Sequence, residues 1–104
     1  MSIGGSAFLG CVGLTDVIIP DSVTSIGSYA FEECTGLVSV TIGVGVTNID
    51  RMPFLNCERL ARVYYTGSIA SWCSMTGLEN IMSGVKTLYI GGKKLKVRLL
   101  SLTV

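Results

Sequence analysis

One set of apolar and small residues returns every 23 positions along this chain, and that spacing limits the folds open to it more than any other feature. Ile3-Gly4, Ala7-Phe8, Cys11, Leu14, Val17, Ile19 and Val23 recur as Ile26-Gly27, Ala30-Phe31, Cys34, Leu37, Val40, Ile42 and Val46. They return more loosely as Ile49, Pro53-Phe54, Cys57, Leu60, Val63, Tyr65 and Ile69. A period of this length implies stacked coils. Each coil covers the apolar face of the next, and the stack encloses one continuous core.

The second repeat shows what one coil contains. Val40 and Ile42 alternate with Ser39 and Thr41, the pattern of a strand with one buried face. In the first repeat Pro20-Asp21 ends the equivalent strand, because proline cannot continue a ladder. In the second, Gly43 takes that place. Val23-Thr24-Ser25-Ile26 reads as a second short strand, and Gly27 as the turn after it. In Tyr29-Ala30-Phe31-Glu32-Glu33-Cys34, the spacings Ala30/Cys34 and Phe31/Cys34 predict one face of a short helix or helical turn. Gly13 and Gly36 stand where such a helix would stop. Pro53, in the place of Ala30, fits if it occupies the first helical turn. Stacking then predicts three columns: Phe8, Phe31 and Phe54; Leu14, Leu37 and Leu60; Val17, Val40 and Val63.

The fourth unit departs from the period. Trp72 stands where Ile49 would repeat, and Val85, Leu88 and Ile90 match Leu60, Val63 and Tyr65 only after two extra residues. Leu78 to Met82 takes the place of the Phe–Cys segment. Thr87-Leu88-Tyr89-Ile90, Gly91-Gly92 and Lys93 to Val97 read as a hairpin with a two-residue glycine loop. The tail alternates Leu95, Val97 and Leu99 with Lys94, Lys96 and Arg98, and charges on a last strand discourage edge-to-edge pairing.

Composition narrows the classes. Hydrophobic residues make up 49% of the 104 residues and charged ones 14%, which argues against disorder. The uncharged stretches 1–15 and 34–49 are interrupted by Gly, Ser, Thr and Asn, so neither offers the roughly 18 apolar residues of a membrane helix. Met-Ser-Ile-Gly-Gly has neither the basic start nor the apolar block of a secretory signal. Charge is divided along the chain: residues 1–50 hold five acids and no base, and residues 51–104 hold eight bases and two acids. That division suits head-to-tail contact or an acidic partner, or else only reflects different solvated rims.

The residues do not assemble a reaction centre. The chain has no histidine, the commonest general base and metal ligand, so Ser–His and Cys–His nucleophile pairs are ruled out. Cys11, Cys34 and Cys57 share one phase of the repeat and should form an interior column, with Cys73 outside it. Three thiols in one register do not surround a metal tetrahedrally. Coils about 4.8 Å apart leave two states open for the column, buried free thiols or a bridge between neighbours. Gly91-Gly92 lacks the surroundings of a phosphate loop. Lys93, Lys94, Lys96 and Arg98 lack the interleaved aromatics of a nucleic-acid surface, which leaves edge protection as their role. No enzyme activity, cofactor, metal, nucleic-acid partner or membrane insertion is expected.

The run Ile-Gly-x-x-Ala-Phe-x-x-Cys-x-x-Leu-x-x-Val-x-Ile-Pro-x-Ser-Val-Thr-Ser, from Ile3 to Ser25 and in large part again from Ile26, resembles the BspA-type leucine-rich repeat. Tyr64-Tyr65-Thr66-Gly67, Ser71-Trp72-Cys73 and Leu88-Tyr89-Ile90-Gly91-Gly92 resemble the degenerate segment found inside such arrays. The resemblance implies a β-rich repeat solenoid of about four coils, each of short strands plus a short helix or helical turn, closed by a C-terminal β-hairpin. It implies a single solenoid domain over residues 1–104, with repeats 3–25, 26–48 and 49–71 and a degenerate repeat and capping hairpin over 72–104. It further implies a secreted or cell-surface protein of host-associated microbes that works in adhesion, with a host surface or matrix protein or a glycan as partner.

A partner would meet the outward residues of the main strands. They form two expected columns: Asp16, Ser39, Arg62 and Thr87, and Ile18, Thr41, Tyr64 and Tyr89. Arg62, Tyr64 and Tyr89 are the candidates to carry recognition, since Tyr and Arg are enriched at binding hot spots. Cross-strand packing between Tyr64 and Tyr89 is the structural alternative. The first coil opens the array with Ile3, Phe8, Leu14 and Val17 and no capping segment before them, which predicts either self-association through that end or further sequence upstream of it. Two functions stay open: a binding module, or a structural spacer within a larger surface protein.

Overall fold

The chain winds as the period requires. The structure, a computed structural model, describes residues 1–82 and 87–96. The first three coils each contribute a long strand to one parallel sheet and a short strand to another. The short strands β1 (Ser2–Ile3), β3 (Ser25–Ile26) and β5 (Asn48–Ile49) form a three-stranded sheet. The long strands β2 (Asp16–Ile19), β4 (Ser39–Ile42), β6 (Arg62–Tyr65) and β7 (Thr87–Ile90) run parallel in that order. β8 (Lys93–Lys96) then returns antiparallel to β7. Gly91 and Gly92 make that reversal at φ 58° and 82°, the pair of positive angles a tight hairpin loop needs. The expected tail beyond Lys96 lies outside the described residues.

The register is the repeat made physical. Val17 pairs with Val40, Val40 with Val63 and Val63 with Leu88. The phenylalanines stack in one column, Phe8 on Phe31 at 5.0 Å and Phe31 on Phe54 at 5.3 Å, with rings within 9° of parallel. One core cluster runs through all the coils, with Ile26, Leu37, Val40, Ile42, Val63 and Leu88 fully buried. Exposure of the phenylalanines is 42% at Phe8, 1% at Phe31 and 8% at Phe54, so the middle coil is the most enclosed.

Between short strand and long strand, the Phe segment forms a series of hydrogen-bonded turns and builds no α-helix. Ser6, Tyr29 and Met52 are left-handed, at φ 57°, 58° and 44°, as are Gly10, Glu33 and Asn56, at 72°, 60° and 61°. Two such residues four apart break any helix. The alternation turns every second N–H sideways to the next coil. Ser6, Phe8 and Gly10 donate to the carbonyls of Ser28, Ala30 and Glu32, and Tyr29, Phe31 and Glu33 to those of Arg51, Pro53 and Leu55, at 2.7–3.0 Å. The intervening amides close local turns, as Ala30 does to Gly27 at 3.2 Å. This explains Pro53 in a different way from the helix-start expectation. The amide it lacks belongs to the local set, and its carbonyl still accepts from Phe31.

Three other expectations are corrected. The second strand is two residues long where four were expected, because Val23 already turns back to Pro20 with a 3.1 Å hydrogen bond. Gly36 stops no helix. A Cβ there would lie 2.6 Å from the Val12 carbonyl, so glycine is required by the close passage of the preceding coil. Trp72 does not occupy the level of Ile49. Asn48 bridges to Thr76, where the period would place Ser71. The inserted residues form α1 (Ile69–Cys73), capped by Ser68, which buries Trp72 against Tyr65 at 5.1 Å. α2 (Glu79–Met82) then stands in place of the Phe–Cys segment and buries Ile81.

Candidate functional site

The parallel register puts the expected outward residues on one face of the five-stranded sheet, in two straight rows. Asp16, Ser39, Arg62 and Thr87 are successive Cα partners, and so are Ile18, Thr41, Tyr64 and Tyr89. Alternation alone produces this, since Val17, Ile19, Val40 and Ile42 turn into the core between them. Asp16, Ile18 and Arg62 are exposed, while Thr41, Tyr64, Thr87 and Tyr89 are half-buried. Ser39 is buried, and its hydroxyl donates to the Asp16 carboxylate.

Tyr64 and Tyr89 stack on each other, 4.7 Å between centroids and 14° from parallel. Each ring thereby restricts the rotation of the other. The hairpin partner of Tyr89 is Lys94, an exposed residue, so the row ends in a cation. Asp21, which the sequence marked only as a strand terminator, ties three coils together. Its Oδ1 accepts the Val44 N–H at 3.0 Å and the Thr66 hydroxyl at 3.4 Å.

The cysteine column is an interior feature, away from the sheet face. Cys34 Sγ donates to the Phe8 carbonyl at 3.2 Å and Cys57 Sγ to that of Phe31 at 3.0 Å. Both thiols are buried, Cys11 is half-buried, Cys73 is exposed, and all four are free. Burial pushes the Cys57 thiol up to about 11, and desolvation raises Cys34 as well. Among the described residues no group of three His, Cys, Asp or Glu side chains is placed to hold a metal ion, and no helix is long and apolar enough to cross a membrane.

Two further surfaces stand out. At the first coil, Met1, Ile3, Phe8, Leu14, Val17 and Ile18 line a broad apolar hollow of about 390 Å³. At the third, Phe54, Leu55, Asn56, Asn80 and Ile81 border a cleft of about 240 Å³, where α2 leaves the regular stack.

Set beside known proteins, residues 1–91 match the BspA type leucine rich repeat region in its six-copy form. The chain belongs to the BspA-type leucine-rich repeat family. A solved relative is the leucine rich repeat protein TpLRR of T. pallidum, similar at a TM-score of 0.59 and 28% identity, over 88% of this chain and 46% of that one. The chain thus spans less than half the length of that relative. No curated protein matches it. Repeat modules of this kind commonly bind proteins or serve as structural units, so the sheet face becomes the first place to look for a partner.

Proposed function

We propose that this leucine-rich repeat chain is a non-enzymatic binding module of a microbial surface or secreted protein, acting in adhesion through the solvent face of its five-stranded sheet. The stacked pair Tyr64–Tyr89 beside exposed Arg62 carries the reading. Large amphipathic side chains held in place by one another lose little entropy on contact, as anchors of an interface must. The repeat family and the absence of histidine both support a module without chemistry of its own. Asp16, Ile18, Ser39, Thr41 and Thr87 complete the surface. A host surface or matrix protein is the expected partner class, with a glycan as the alternative.

The test is a binding panel of host matrix proteins, surface proteins and glycans, read against Arg62→Ala, Tyr64→Ala and Tyr89→Ala. Weaker binding at unchanged melting temperature supports the proposal. Loss of the fold in the tyrosine variants assigns the pair to cross-strand packing, and a panel without binders favours a spacer.

A second reading rests on the first coil. Leu9, Val12 and Ile18 are more than half exposed there, beside the partly exposed Phe8 and the apolar hollow. Exposed apolar side chains beside an apolar hollow suit an association site, and self-association is the reading they favour.

A further inference from the structure

On the solvent face of the five-stranded sheet, short side chains on β4 lie between longer ones on β2 and β6, and this register defines a trough with chemically specific walls. The floor is β4, whose outward residues Ser39 and Thr41 are short. Asp16 and Ile18 of β2 stand on one side, and Arg62 and Tyr64 of β6 on the other, each level with its floor residue. The trough is two strand spacings wide, about 9.6 Å. Ser39, buried and tied to Asp16, closes the bottom.

The two levels ask for different groups. At the Thr41 level, one face of the Tyr64 ring is covered by Tyr89 at 4.7 Å, which matches the step between neighbouring strands. A further ring seated over Thr41 would continue that stack by one step, and Ile18, 76% exposed, closes the far side. At the Ser39 level, Asp16 and Arg62 face each other across the trough. About 9.6 Å separates their strands, so a small polar group seated between them can touch both side chains. A bare carboxylate there would meet Asp16, and an ammonium would meet Arg62. A primary amide satisfies both walls, because its NH₂ donates to the aspartate and its carbonyl accepts from the guanidinium. The two levels are two residues apart along the strand, about 6.6 Å, the same interval that separates residues i and i+2 of an extended peptide.

We infer that the trough over β4 takes an extended segment of a partner protein in which an aromatic residue and an Asn or Gln stand two positions apart. The ring lies between Tyr64 and Ile18, and the amide between Arg62 and Asp16. This rests on the reading of the sheet face as the binding surface, and it names the partner's chemistry. Tyr89 is a positioning residue, which stacks on the Tyr64 ring and restricts it.

The experiment is selection of a displayed random short-peptide library on the full 104-residue chain, followed by affinity measurement of the selected peptides. Peptides with an aromatic residue two positions from Asn or Gln are enriched. Thr41→Phe fills the trough with the chain's own ring and weakens their binding by at least about tenfold, the loss expected when an anchor is displaced. Thr41→Ile does the same if the larger ring disturbs folding. Tyr89→Phe retains binding where Tyr89→Ala loses it, and peptide ring protons shift upfield on contact with Tyr64. Selected peptides that lack the pair, or that survive Thr41→Phe but not Tyr64→Ala or Arg62→Ala, overturn the trough and leave the binding face standing. Peptides indifferent to Tyr64→Ala and Arg62→Ala, or no selected peptides at all, overturn both.

Discussion

Phe8, Phe31 and Phe54 are one residue at three levels of a column, and their energetic weights differ only through position. Phe31 has a ring above and a ring below, while Phe8 has one neighbour and is 42% exposed. Phe31→Ala should cost about 3–5 kcal/mol, as for other buried aromatics, and Phe8→Ala clearly less. Urea midpoints of the two variants check this, and equal losses would contradict the column. The cysteines follow the same logic. Cys34 and Cys57 are buried and Cys73 is exposed, so a thiol reagent at neutral pH should label Cys73 rapidly and leave Cys34 and Cys57 until denaturant is added. Burial also sets a pH dependence. The Cys57 thiol moves from 9.0 to about 11 on folding. As pH rises, the unfolded chain therefore releases this proton first. The stabilising contribution is whole below 9 and is lost as pH climbs toward about 11. The urea midpoint should fall across that window, and Cys57→Ala should flatten the fall. The column was legible because all three cysteines share one phase. The hydrogen bonds of its thiols to the Phe8 and Phe31 carbonyls were not, because they depend on how the turn is folded.

At the level of elements, the Phe segment shows where local pattern misleads. Ala30, Phe31 and Cys34 have helical spacing, yet Tyr29 and Glu33 are left-handed and no helix forms. Six amides gain partners in the adjacent coil by this choice, which a helix would have kept for itself. The glycines make the same point. Gly13 and Gly36 occupy equivalent repeat positions, but a Cβ at Gly36 would meet the Val12 carbonyl at 2.6 Å, whereas one at Gly13 meets nothing within 4 Å. Gly36→Ala should destabilise by about 1–3 kcal/mol through overpacking. Gly13→Ala should be neutral or stabilise by up to about 1 kcal/mol through the unfolded chain. Thermal melts of the pair give the comparison, and a neutral Gly36→Ala would mean that the coils can move apart. α1 eluded the period altogether. It is an insertion that buries Trp72 in the core beside Tyr65, and a single Trp in a drifting repeat carries no mark of that position.

For the whole molecule, the first coil and the hairpin present unlike surfaces. β8 and its lysines follow the last parallel strand, while the first coil leaves Leu9, Val12 and Ile18 in solvent. Self-association through that coil predicts a mass that grows with concentration in sedimentation equilibrium and reverts to one chain in Val12→Lys. A constant single-chain mass for the unaltered protein would set the idea aside. Much of this architecture could be read directly from the chain. A strict repeat makes like residues neighbours, so the stacking, the Phe and Cys columns and the two outward rows follow from counting. Counting could not show that Ser39 is buried and tied to Asp16, how Tyr64 and Tyr89 stack, or how α1 and α2 interrupt the spiral. Those features depend on which backbone groups and side chains meet between coils. Such contacts are made at distances along the chain that no local pattern records, and here they shape the surface a partner would touch.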